Sequence, residues 1–174
     1  MRHLIILLLP LSLLSGCSQV MYHHDEYTND SYEYVEIKKG LKIVRMQDGS
    51  YHLIGSLKND VIDPEPGFYV KFHDGEIWAR ADAEVRMGPK SLHSSGVSNY
   101  IGLGITVGHA ITTSKCTYVA TVKLAEEDLD LFKTKLVAGF KVGPYKVKDF
   151  YKPGYKFRKR VNRLAGDKAP RWHE

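Results

Sequence analysis

The chain has 174 residues, of which 43% are hydrophobic and 26% charged, and it holds two cysteines, Cys17 and Cys116. That length suits one ordinary domain with a real core, and so few cysteines exclude a disulfide framework inside it. The overall charge of +5 hides a strong asymmetry: residues 17–132 carry 11 Lys and Arg against 17 Asp and Glu, a net of −6, whereas residues 133–174 carry 13 against 3, a net of +10. Such segregation speaks to partners and encounter rates more than to fold.

At the N-terminus, Arg2 and His3 precede an almost unbroken apolar run over residues 4–14, followed by Ser15 and Gly16. A basic start, a short greasy core and small residues make a secretory signal peptide, and the run is too short for a permanent membrane helix. The stretch Leu14-Ser15-Gly16-Cys17 resembles the lipobox of bacterial lipoproteins. The resemblance implies cleavage before Cys17 and lipid on its sulfur and its new amino group. Ser18 in the next position, rather than Asp, implies sorting to the outer membrane, with the periplasmic face expected. The match covers the first eighteen residues, so it supplies an address and an anchor and no fold. Several acyl chains on one cysteine hold firmly, because each buried methylene contributes about 0.8 kcal/mol.

Removing residues 1–16 leaves 158. Residues 17–31 are polar and lack apolar periodicity, which reads as a flexible tether after the lipidated cysteine. The run His23-His24-Asp25-Glu26 is assigned no metal, since metal sites need ligands fixed by surrounding structure. Strands are expected at residues 32–37 and 41–46, then a turn at Gln47-Asp48-Gly49-Ser50 and a returning strand at 51–57. Asp63-Pro64-Glu65-Pro66-Gly67 is a loop, because prolines lack the donor a ladder needs. Residues 68–72 and 76–81 form a second hairpin around Asp74-Gly75. The alternation there leaves the face of Trp78 open, though its size favours burial, with Arg80 and Asp82 at solvent edges or paired.

Residues 87–99 read as a loop rich in Gly, Pro and Ser. His93-Ser94 within it shows neither a fixed base nor an orienting third group, so it does not make a hydrolase. Gly102, Gly104 and Gly108 sit in an apolar run without the Lys-Ser/Thr continuation of a phosphate loop, which favours a strand with bulges and a packed His109. Residues 111–123 continue as strand, with Cys116 a buried structural thiol. Over residues 125–137 the period changes to helical: acids lead, lysines follow, Leu129, Phe132 and Leu136 share a face, and Gly139 marks the stop. The acids read as a helix start, since no calcium-loop spacing is present.

The C-terminal third is expected as basic strands. Residues 145–151 follow the turn Val142-Gly143-Pro144, with Lys146, Lys148 and Lys152 on a wet face and Tyr145, Val147 and Tyr151 inward. A turn at Lys152-Pro153-Gly154 leads to a strand at 155–160, and residues 166–174, with Arg171 and Trp172, form a loose end. One role for this segment is a solvated edge that discourages pairing. The other is a surface for an anionic partner, built from Lys146, Lys148, Lys152, Lys156, Arg158, Lys159, Arg160 and Arg163 with Tyr151 and Tyr155. The envelope address favours lipid phosphates, lipopolysaccharide, peptidoglycan or an acidic protein over nucleic acid.

The expected fold is therefore mainly β (α+β): one domain over residues 32–165, as a single antiparallel sheet, a sandwich or a partly open barrel, with one amphipathic helix near residues 125–137. The expected function is a lipid-anchored, non-catalytic binding or assembly component of the envelope, with no cofactor and no metal. Two alternatives remain: an inhibitor or immunity lipoprotein against an envelope-targeting toxin or hydrolase, and an envelope glycan or lipid hydrolase using His52, His73 or Asp74 in a cleft.

Overall fold

A computed structural model describes residues 20–25, 30–37, 40–100, 106–146, 150 and 154–166. The first sheet contains β1 (Met21–Asp25), β2 (Asp30–Ile37), β3 (Leu41–Met46), β4 (Tyr51–Asp60), β7 (Val85–Met87), β8 (Ser91–Tyr100) and β9 (Thr106–Leu124). Its order is β1-β2-β3-β4-β9-β7, with β8 paired to β9. The second contains β5 (Phe68–Phe72), β6 (Ile77–Arg80), β10 (Val137–Val142) and β11 (Tyr145–Lys146), in the order β11-β10-β5-β6. Two helices, α1 (Glu126–Thr134) and α2 (Gly154–Leu164), complete the described residues. The fold is β-rich α+β, as expected, and of the three architectures left open by the alternation it is the sandwich, with two antiparallel sheets.

Period-two alternation puts Val35, Ile37, Leu41, Ile43, Leu53, Tyr118 and Ala120 on the inner face of the first sheet. Phe68, Val70, Phe72, Trp78, Phe140 and Val142 meet them from the second. Phe68 lies edge-on to Trp78 at 5.9 Å and to Phe140 at 6.4 Å. Between the sheets Gly55 leaves no room for a side chain: a Cβ there would sit 2.6 Å from the Phe68 ring and 2.9 Å from Val142. The close approach of the layers therefore depends on a missing methyl group.

Asp128 joins α1 to the second sheet. Its carboxylate accepts from Trp78 Nε1 at 2.7 Å and from the Arg80 guanidinium at 2.6 Å, and it also takes the Ala125 N–H at 3.2 Å. The acid three residues into the helix thus satisfies an otherwise orphaned donor at the helix start. Arg80 lies 5.0 Å over the Trp78 ring, and Trp78 is buried, which settles its face. Phe132, one turn on, packs edge-on to Phe72 at 5.5 Å and to Trp78 at 6.0 Å.

Four local expectations are corrected. Residues 21–25 and 30–31, read as tether, pair as the outer hairpin of the first sheet. Residues 91–99, read as loop, belong to β8, whose ladder with β9 runs from Ser91↔Lys115 to Tyr100↔Thr106. Ser and Gly there suggested loop, but a long partner strand satisfies the backbone regardless of local propensity. The helix ends earlier than Gly139, at Thr134; Leu136 lies outside it, and Gly139 sits within β10. Finally, the basic segment from residue 155 is helix and not strand.

Cys116 is buried and free, as expected. Two residues on, the Tyr118 hydroxyl accepts the Ile62 N–H at 2.8 Å and is shared between the carbonyls of Ile62 at 2.7 Å and Asp60 at 3.1 Å. Burial, followed by the hydrogen bond with Cys116, pushes its pKa well above the usual tyrosine range.

Candidate functional site

The basic helix α2 is built from Gly-Tyr-Lys-Phe-Arg-Lys-Arg-Val-Asn-Arg-Leu and contains no acid. Phe157, Val161 and Leu164 recur at i, i+4 and i+7, and all three are buried. Gly154 starts the helix against β10, where a Cβ would lie 3.0 Å from the Val137 carbonyl oxygen. The helix packs on β2, α1 and β10.

With 100° per residue, the remaining side chains sort by direction. On the α1 side, Arg158 donates to the Thr134 carbonyl at 3.1 Å, and Asn162 donates to the Lys133 carbonyl at 2.9 Å. Both acceptors belong to the last turn of α1, whose carbonyls have no intrahelical partner and whose dipole favours a cation. Arg158 also lies 5.3 Å over the Tyr155 ring. Toward the first sheet, Arg160 donates to the Glu36 carbonyl at 3.2 Å. The outward side presents Tyr155, Lys156, Lys159 and Arg163, all exposed.

The residues expected to form an anionic-partner surface thus divide. Lys156, Lys159, Arg163 and Tyr155 share one exposed helical face. Arg158 and Arg160 have docking duties at its two flanks. Lys146 stands in β11 opposite Lys141 of β10, on a different element from the helix. Lys148, Tyr151 and Lys152 lie outside the described residues, as does Cys17. Asn162 was missed as a docking residue. The signal that would have found it is the helical spacing of Phe157, Val161 and Leu164.

Of the hydrolase candidates, His73 and Asp74 are neighbours in the β5–β6 turn, and His52 stands apart from them on the other sheet. His52 Nε2 lies 3.2 Å from Ser50 Oγ on β4, whereas Asp74 sits in the β5–β6 turn of the other sheet. Asp74 and Glu76 both accept from Lys135 Nζ, the former at 2.6 Å. That contact holds the Asp74 carboxyl below and the Lys135 amine above their ordinary values. A cavity of about 300 Å³ opens beside Ser50, Tyr51, Leu124, Glu126, Leu129 and Lys133, and none of His52, His73 and Asp74 lines it.

A second Ser/His contact lies at the corner where β1 meets β2. Ser31 Oγ lies 2.8 Å from His24 Nδ1 and accepts from Tyr22 at 3.1 Å, beside the buried ion pair of Glu33 and Arg45. Ser31 is only 4% exposed, so its oxygen is turned into the protein. His23 and His24 occupy opposite faces of β1, opposite Tyr32 and Ser31, and cannot converge on one ion. Comparison with protein-family models, with curated proteins and with solved structures finds no match.

Proposed function

We propose that this protein is a lipid-anchored, non-catalytic binding component of the bacterial cell envelope, placed at the outer membrane by Cys17, and that the outward face of α2 engages an anionic partner. The observation that carries the reading is the face itself: Lys156, Lys159 and Arg163 are exposed together beside Tyr155 on a helix without an acid. Two cations of the helix are committed to docking, whereas Lys156 and Lys159 are turned to solvent. A lysine–arginine face with one flat ring suits phosphate and carboxylate groups.

Charge reversal is the test, because Lys156 and Lys159 are exposed and such substitutions lie within about ±0.5 kcal/mol of neutral for stability. In the double variant K156E/K159E, binding to lipopolysaccharide and to peptidoglycan fragments should fall sharply. The wild-type interaction should weaken steeply with added salt. Unchanged binding by the variant, in a fold that melts as the wild type does, overturns the reading.

A further inference from the structure

We infer that α2 lies against the membrane that holds the anchor, and that the partner of its basic face is the phosphate layer of that bilayer. The inference rests on the proposed lipid anchor at Cys17 and the anionic-partner reading of α2.

The argument begins with β2, which has β1 on one side as the outermost strand of the sheet and α2 packed on its inner face. Met21 pairs with Tyr34, so the chain enters β1 near the Glu36 end of β2. Arg160 donates to the Glu36 carbonyl from the same end. Continuing the β1–β2 register sets Val20 opposite Val35, and strands about 4.8 Å apart, rising about 3.3 Å per residue, put its backbone roughly 6 Å from Glu36. Val20 also packs against the core cluster to which Phe157 and Val161 belong.

From Val20 only three residue steps lead back to Cys17, a reach of at most about 10 Å. Residues 21–25 are a paired strand and add nothing to that reach. The acylated cysteine is therefore on a short leash at the corner of the domain that α2 occupies, and the helix is only about 16 Å long.

Direction agrees with distance. The flank of α2 that carries Arg160 faces β2, and the next positions around the helix on that side are Lys156 and Arg163, both exposed. The cationic face is thus turned toward the edge where the chain leaves for the membrane. Juxtamembrane cations act within about a Debye length of the lipid surface, roughly 8 Å at physiological ionic strength, and Lys156 and Lys159 together amount to about thirtyfold in partition. Charge complementarity and leash length both select phospholipid headgroups over a partner further away.

The test uses the full lipidated chain reconstituted into two sets of vesicles, phosphatidylcholine alone and phosphatidylcholine with phosphatidylglycerol. A water-soluble amine reagent is applied and each lysine is read by mass spectrometry. Lys156 and Lys159 should be modified at least about fivefold more slowly on the anionic vesicles, and salt should restore the rate. Lys90, exposed between β7 and β8 at the opposite edge of the sheet, should react equally on both. Equal modification of Lys156 and Lys159 on the two vesicle types overturns the inference. If those lysines are instead protected by added peptidoglycan fragments, the anionic-partner reading survives and the membrane assignment does not. If neither protects them, both fall, and a chain that does not stay with either vesicle overturns the anchor on which the inference stands.

Discussion

At the scale of single residues, the buried polar groups are structural and their chemistry is readable as stability. Tyr118 binds three backbone groups of residues 60–62 from inside the core, and its raised pKa has a sign. A tyrosine whose folded pKa lies above its unfolded value of about 10 contributes fully below that value, and the contribution is lost as pH rises beyond it. Unfolding free energy from urea melts should therefore decline above about pH 10, and Tyr118→Phe should cost about 1–2 kcal/mol at neutral pH and show a shallower alkaline decline. Matching alkaline slopes for the two proteins would rule out Tyr118 as the source. Cys116 was legible at this scale because a lone cysteine in a β-prone run has few other uses. The burial of Ser31, Glu33 and Arg45 was not, since nothing local in the polar run 18–31 reveals a partner strand.

At the scale of elements, α1 is fixed by its first turn. Asp128 takes the Trp78 N–H, the Arg80 guanidinium and the Ala125 N–H together, so its removal strands two side-chain donors and one backbone donor. Asp128→Ala should destabilise the domain by about 2–3 kcal/mol, a range already lowered because Arg80 keeps part of its hydration. Asp128→Asn should recover part of that loss by keeping an oxygen for Trp78. A melt within about 0.5 kcal/mol of wild type for the alanine variant contradicts this role. The acidic start of α1 was readable from sequence because capping and dipole effects are local. Helix α2 was misread because Tyr155, Phe157 and the interleaved cations imitate a two-residue period, and only the longer spacing to Val161 and Leu164 discriminates. Its helical state depends on Arg158 and Asn162 reaching carbonyls of α1, which are distant in sequence.

At the scale of the molecule, the segregation of charge can be counted along the chain, whereas its placement cannot. That β1 and α2 share β2 depends on pairing between residues 21–25 and 30–34 and on packing across more than 120 positions. The mainly β class was legible because alternation and turn glycines such as Gly49, with φ of 81°, are properties of short windows, whereas the choice among one sheet, a sandwich and an open barrel was not. Sheet order was not, being decided by the fit of inner faces such as Gly55 against Phe68.

The long strand β9 carries one more consequence. From Lys115 to Leu124 it has β4 along one side, while over residues 106–113 its ladder partner among the described residues is β8 alone. In an antiparallel pair, successive N–H groups point alternately toward the partner and away from it. Deuterium uptake along residues 106–113 should therefore follow a two-residue rhythm, one amide slow and the next fast. Around residues 118–120, where β7 lies on the side opposite β4, the rhythm should give way to uniform protection. Read amide by amide, the exchange pattern would trace where the sheet narrows to a ribbon.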